Sequence, residues 1–218
     1  MGKLKVFEAF AGIGTLRMAL DRLDIEYDVV GISEIDKFAI QSYEAIHGGT
    51  KNYGDISKIN PDDLPDFDLF VYGFPCQDIS TAGLQKGFKK GSETRSSLLW
   101  ECEKIINEKR PKYLLMENVK ALTFKKNMPG FEMWLKILED LGYTNYWKIL
   151  NAKDYGVPQN RERVFCISIH GDHDKYEFPE GEKLTKRLRD VLEEEVDEKY
   201  YLKKEQVERL TKRCGEGN

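Results

Sequence analysis

Lys5-Val6-Phe7-Glu8-Ala9-Phe10-Ala11-Gly12-Ile13-Gly14-Thr15 opens as a short, largely apolar run over residues 5–10 and closes in a turn that carries two glycines. Leu16, Met18, Ala19, Leu20 and Leu23 follow at helical spacing. The stretch therefore reads as strand, glycine turn, helix, and the same alternation continues along the chain. Residues 27–33 read as a second strand ending at Glu34, and Phe38, Ile40, Tyr43 and Ile46 mark a helix before Gly48-Gly49. Residues 68–72 are a strand, Leu98, Leu99, Cys102, Ile105 and Ile106 a helical face, and residues 112–116 a strand. Residues 131–141 are helical up to Gly142, and residues 145–150 and 163–169 complete the sheet. Parallel neighbours need crossover connections, so strands alternating with helices predict an α/β, Rossmann-like, mostly parallel sheet with helices on both faces.

Ligands in such sheets bind at the carboxyl ends of the strands. The glycine turn, Glu34, Cys76 and Glu117 all fall there, so one crevice can hold all four. Gly12 and Gly14 carry no side chain to obstruct a close approach of the backbone to a ligand. Glu34 lies about 20 residues on, where an acid can accept hydrogen bonds from ribose hydroxyls, so a nucleoside cofactor is expected. Arg17 stands where the third glycine of the dinucleotide pattern would fall, which counts against NAD.

Gly73-Phe74-Pro75-Cys76-Gln77-Asp78-Ile79-Ser80 follows the apolar run over residues 67–72 and holds one cysteine at the mouth of a strand-to-loop turn. A free thiol is mostly protonated at neutral pH, so a nucleophilic Cys76 needs a polar, partly exposed setting, which this turn can supply. Cys102 on its helical face and Cys166 inside its strand read instead as buried small hydrophobes. Glu117-Asn118-Val119 puts a carboxyl group after the fourth strand, where a cleft can raise its pKa until it donates as well as accepts. In Gln159-Asn160-Arg161-Glu162-Arg163 the two-residue spacing turns both arginines to one side. His47, His170 and His173 show no spacing that defines a metal site, and no metal is expected.

In this order along the chain, the four motifs resemble the cytosine-5 DNA methyltransferase family over about residues 4–200. The resemblance implies the class I methyltransferase fold, with S-adenosylmethionine as cofactor and S-adenosylhomocysteine as product. It implies cofactor contacts from Phe10, Ala11, Gly12, Ile13, Gly14, Thr15, Glu34, Ile35 and Pro75, with Asp55 and Ile56 against the adenine. Cys76 would add to carbon 6 of cytosine, Glu117 would stabilise the activated ring, Arg163 would contact the base carbonyl, and Arg161 would tie down the catalytic loop. Asn118 would orient its turn and Gln159 would support the turn before the arginines. The substrate implied is double-stranded DNA with the target base flipped from the stack, in a restriction-modification setting. Methylation of a tRNA cytosine, which uses similar residues, is the alternative within enzymes.

The 218 residues have 40% hydrophobic and 33% charged side chains, a soluble globular balance that supports one sizeable core. The four cysteines are widely spaced and form no CxxC pair, so neither a disulfide framework nor a zinc knuckle is indicated. No apolar run approaches a membrane span and the first residues pass directly into a strand pattern, so a cytoplasmic protein without membrane contact is expected. A net charge of -4 is unusual for a nucleic-acid binder. Lys86, Lys89, Lys90 and Arg95, with Lys120, Lys125 and Lys126, are the local basic clusters that could line one cleft. Residues 1–178 read as the catalytic domain, and residues 179–218 as a charged helical arm with Glu193-Glu194-Glu195 and Lys203-Lys204. The family pattern continues beyond this point with a target-recognition region and a last motif that packs beside the cofactor strand. Their absence here suggests a chain cut to its catalytic core, one half of a split enzyme whose second polypeptide carries the rest, or a cofactor- or protein-binding module without independent activity.

Overall fold

The structure, a computed structural model, describes residues 2–75 and 98–215, with side chains of the last helix described as far as Lys212. Cys76, the basic residues between 86 and 95, and the side chain of Cys214 lie outside the described residues. Strands β1 (Leu4–Ala9), β2 (Tyr27–Ser33), β3 (Leu69–Tyr72), β4 (Tyr113–Val119), β5 (Tyr143–Asn151) and β6 (Glu162–His170) form one sheet in the order β2-β1-β3-β4-β6-β5. Helices α1 (Thr15–Arg22), α2 (Lys37–His47), α3 (Leu99–Lys109) and α4 (Met128–Asp140) each follow one of the first four strands. This is the α/β alternation that the sequence predicts.

β1 pairs in parallel with β2 and β3, and β3 with β4, because each connection carries a crossover helix. The 152–161 connection carries no α-helix, so β6 turns back and inserts between β4 and β5, antiparallel to both. The sheet is therefore parallel over β2, β1, β3 and β4 and antiparallel at its other edge. Pairing with β6 also extends β4 beyond Met116, where the apolar run stops, through Glu117, Asn118 and Val119. Glu117 consequently sits on the sheet rather than on a loop. The strand order reverses at β1, so the connections leaving β1 and β3 run to opposite faces of the sheet and leave a crevice at the strand carboxyl ends.

α3 and α4 cover one face. There Phe70, Tyr72, Leu114, Met116, Val164 and Cys166 meet Leu99, Ile105, Ile106 and Trp134 in the main core. Each large apolar side chain buried in this way contributes roughly 1.5–3 kcal/mol. The indole of Trp134 also donates to the hydroxyl of Tyr72 at 3.2 Å, so the buried ring leaves no orphan polar group. α1 and α2 lie against the other face, where the Tyr43 hydroxyl donates to buried Glu8 of β1 at 2.6 Å. Val71, Leu115 and Phe165 on this second face are only half-buried and line a cavity.

α2 forms where its apolar spacing predicts, with Asp36 accepting from the backbone N–H groups of Phe38 and Ala39 as its N-cap. Only Tyr43 of that spacing is buried, however, and Phe38 is 65% exposed. The arm after Pro179 has two short 3-10 turns, Leu188–Val191 and Glu198–Tyr200, and becomes helical only in α5 (Lys204–Gly215). Leu188, Leu192, Tyr200 and Tyr201 on the arm are exposed. Among the described residues no helix is long and apolar enough to cross a membrane.

Candidate active site

The turn after β1 is built from left-handed backbone. Phe10, Gly12 and Gly14 have φ of 55°, 57° and 74°, and for the non-glycine Phe10 this conformation costs of the order of 1–3 kcal/mol. Backbone bonds from Phe10 to Ser33 at 2.8 Å and from Gly14 to Ala11 at 2.9 Å hold the shape. Glu34, at the end of β2, closes over the turn. Its carboxylate accepts from the N–H of Gly12 at 2.9 Å through Oε2 and from those of Ile35 and Asp36 at 2.8 and 2.9 Å through Oε1. A carboxylate offers about four acceptor positions, so one remains on Oε2 for a ligand hydroxyl. Asn52, which the sequence patterns do not single out, fixes the backbone of Glu34 by accepting from its N–H at 3.1 Å and donating to its carbonyl at 3.0 Å.

The two glycines differ. A Cβ on Gly12 would meet nothing within 4 Å, so its backbone faces open space, as the expectation of a close ligand approach requires. A Cβ on Gly14 would lie 2.5 Å from Nε2 of His47 and 2.7 Å from the ring of Tyr43. On the side where a Cβ would stand, Gly14 therefore packs closely on α2 of the chain itself. Periodicity assigns Tyr43 to a helix but cannot show that the helix packs on this turn.

Ser33 Oγ donates to the carbonyl of Gly54 at 2.7 Å, bringing the 54–56 segment beside the end of β2. Asp55 caps its own 3-10 turn (Ile56–Lys58), accepting from the N–H and hydroxyl of Ser57, and these bonds lower its pKa. The side chain of Ile56 is buried in the core. It can meet a ligand only through its backbone. Ile35, beside Glu34, is 71% exposed and presents an apolar surface at the mouth of the crevice.

A cavity of about 580 Å³ runs from Phe10, Ala11 and Thr15 past Val71 and Gly73 to Glu117 and Arg161. A second, of about 240 Å³, shares Glu117, Arg161 and Phe165 with it and adds Arg163, Leu150, Asn151 and Tyr155. The two sites thus meet at Glu117. In the antiparallel register Glu117 faces Phe165 and Val119 faces Arg163, so Glu117 and Arg163 are diagonal neighbours on one face. Arg163 Nε lies 3.1 Å from Glu117 Oε1, and Arg161 approaches the same oxygen at 3.7 Å. The two-residue spacing therefore does bring both guanidinium groups to one carboxylate. Lys120 pairs with Glu162 at 2.9 Å, on the other side of β6, and not with Glu117.

Asn118 is buried and donates through Nδ2 to the carbonyl of Phe74 at 3.0 Å, so the strand that carries Glu117 also holds the loop leading through Pro75 towards Cys76. Cys76 itself lies outside the described residues. Cys102 and Cys166 are buried, and burial raises both thiols, Cys166 to about 12. Asn151 and Tyr155, which line the smaller cavity, precede the arginine motif and carry no sequence signal of their own. A further cavity of about 550 Å³, lined by Arg17, Tyr27 and Lys51, lies towards the amino ends of β1 and β2, away from this site. Among the described residues no group of three or more His, Cys, Asp or Glu could hold a metal.

The six-stranded sheet with helices on both faces is the class I methyltransferase fold, and its crevice at the strand carboxyl ends has a glycine turn and an acid on one side and a carboxylate with two arginines on the other. The family model for C-5 cytosine-specific DNA methylase matches residues 4–217, and the chain belongs to that family. The chain is 47% identical to the type II methyltransferase M2.ScrFI of Lactococcus lactis subsp. cremoris, over 94% of this chain and 71% of that protein. It is 38% identical to the orphan methyltransferase M.Rho11sI of Bacillus phage rho11s, over 96% of this chain and 48% of that protein. The Dnmt2 methyltransferase of S. pombe superposes with a TM-score of 0.76 at 25% identity, over 97% of this chain and 66% of that one. The chain thus spans roughly half to seven-tenths of the length of these relatives.

Proposed function

We infer that the chain is the catalytic part of an S-adenosylmethionine-dependent enzyme that methylates carbon 5 of cytosine in duplex DNA. The juxtaposition at Glu117 of an elongated cavity starting at the glycine turn and a smaller one beside the arginines carries this reading. The residues fit a nucleoside cofactor: Gly12 leaves its approach open, Glu34 keeps one acceptor position, and the cavity is large enough for it. Phe10, Ala11, Gly12, Ile13, Gly14 and Thr15 would hold the cofactor with Glu34, Ile35, Pro75, the side chain of Asp55 and the backbone of Ile56. When bound, S-adenosylmethionine supplies an electrophilic methyl group.

The smaller cavity would take the flipped cytosine, at an unpairing cost of a few kcal/mol. The Cys76 thiolate adds to carbon 6, its electron pair forming the C–S bond while the 5,6 double bond shifts charge onto carbon 5 and the N3–O2 side of the ring. Arg163 would donate to the base carbonyl, and Glu117 would face ring N3. Glu117 forms an ion pair with Arg163, and a hydrogen bond between its carboxyl group and N3 requires a proton on one of the two. After methylation, loss of the proton from carbon 5 and breaking of the C–S bond restore the aromatic ring and the thiolate. DNA is preferred to tRNA as substrate because the matching family and the named bacterial and phage relatives are DNA methylases or type II and orphan methyltransferases.

Residues 1–178 would form the catalytic domain and the arm after Pro179 would lead to target recognition, supplied by further chain or by a second polypeptide. The test is mass spectrometry of the protein with S-adenosylmethionine and a pool of duplexes carrying 5-fluorocytosine, alone and with a chain that supplies target recognition. Fluorine cannot leave as a cation, so the C–S bond persists and a peptide containing Cys76 should carry the nucleotide. A protein that binds cofactor and DNA yet forms no such adduct, or forms it equally as Cys76→Ser, overturns the mechanism.

A further inference from the structure

The glycine turn rests on α2 through a chain of contacts that reaches back into the sheet. His47, in the last turn of α2, has Nε2 3.0 Å from the carbonyl oxygen of Ile13. A carbonyl can only accept, so Nε2 carries the hydrogen. The His47 ring packs on Tyr43 with centroids 4.8 Å apart, and the Tyr43 hydroxyl donates at 2.6 Å to buried Glu8 in β1, two residues before the turn begins. Gly14 fits between these rings and the helix it starts because it has no Cβ. On the far side Arg17 bonds Tyr27 at 3.2 Å and Thr50 at 3.1 Å, so α1 is tied to β2 and to the segment after α2.

We propose that His47 is a positioning residue for the cofactor: by donating to Ile13 and bracing Gly14 against Tyr43, it holds the turn in the left-handed shape that aims the Gly12 backbone at the ligand. The inference rests on the cofactor reading above, and it adds a residue that no glycine motif contains. His47 touches the turn at Ile13 and Gly14 while nothing stands within 4 Å of a Cβ on Gly12, so it acts through the backbone and not on the ligand itself. Phe10, a non-glycine residue, adopts a positive φ of 55°, so the turn stores conformational strain there that a free loop would release. The donor from α2 and the three N–H groups closed by Glu34 oppose that release.

The test compares the full chain with His47→Leu, which keeps bulk and loses the donor, and His47→Gln, whose amide can donate again. Calorimetry with S-adenosylhomocysteine should show about fivefold weaker binding for His47→Leu, the effect of one hydrogen bond of net worth about 1 kcal/mol. Most of the loss should return in His47→Gln. Hydrogen exchange provides a second readout that needs no ligand: the Gly12 and Gly14 amides, each bonded at 2.9 Å, should exchange faster in His47→Leu and not in His47→Gln. Unchanged exchange and binding in His47→Leu overturn the proposal, as does equal loss in both variants, which would make the effect one of packing. A wild-type chain that binds no S-adenosylhomocysteine, with exchange changed as expected, refutes the cofactor reading and leaves His47 as the brace of the turn.

Discussion

Replacing each of the two turn glycines by alanine separates a packing role from a ligand-facing one. Gly14 has φ of +74°, so alanine there takes on left-handed strain of roughly 1–2 kcal/mol. Its Cβ would also sit 2.5 Å from His47 and 2.7 Å from Tyr43. These rings belong to a helix whose Tyr43 is fixed by Glu8, so they cannot swing away freely, and overpacking adds about 1–3 kcal/mol. The expected loss is about 2–5 kcal/mol, a large part of the ~5–15 kcal/mol that a domain possesses. Gly12→Ala carries the strain term alone, since nothing lies within 4 Å of its Cβ. At about 2–4 °C per kcal/mol for a chain of this size, Gly14→Ala should melt roughly 2–12 °C below Gly12→Ala by scanning calorimetry. Gly12→Ala, folded close to normally, should show the larger defect in S-adenosylhomocysteine binding per degree of melting lost. A Gly14→Ala midpoint equal to or above that of Gly12→Ala would refute the packing argument.

Three further outcomes are expected. Glu117→Gln should lower methyl transfer by about 10²–10⁴-fold while leaving S-adenosylhomocysteine binding within about twofold, measured by radiolabelled methyl incorporation and calorimetry; unchanged turnover would remove Glu117 from the chemistry. Iodoacetamide should leave Cys102 and Cys166 unmodified in the folded chain and label them after unfolding, because both thiols are buried and raised by burial; peptide mapping reads this directly. Glu8 is held above the ordinary glutamate value of 4.5, chiefly by burial, so the folded state favours its protonated form. Its contribution to stability is present below that ordinary value and is lost as pH rises through the raised one. Glu8→Gln, which can still accept from Tyr43, should remove this loss, so urea unfolding should show the variant gaining on the wild type as pH rises above 4.5.

The order of strands and helices was legible in the chain because apolar residues recur at period two or near 3.6 wherever one face of an element is buried. The turn at 10–15, the acid at 34 and the carboxylate at 117 were legible for a related reason: glycines and isolated acids at strand ends have few structural uses. Where the chain lacks such a period the sequence was mute. The apolar run of β4 stops at Met116, and only pairing with β6 carries the strand on to Val119 and puts Glu117 beside Arg163. Likewise Phe38 and Tyr43 both fit a helical face, but only Tyr43 is buried, because α2 lies over Glu8 and Gly14 and turns Phe38 outward.

The sequence by itself determined the α/β alternation, the family and the residue types at the strand ends, since these depend on local spacing along the chain. Tertiary structure alone decided which of them meet. The antiparallel insertion of β6 brings Arg161 and Arg163 to Glu117 across more than forty residues of chain, and the packing of α2 makes Gly14 a contact with His47 while Gly12 stays open. Such meetings depend on how sheets and helices fill space around the β1–β3 crevice, and neighbours brought together by packing leave no period in the sequence.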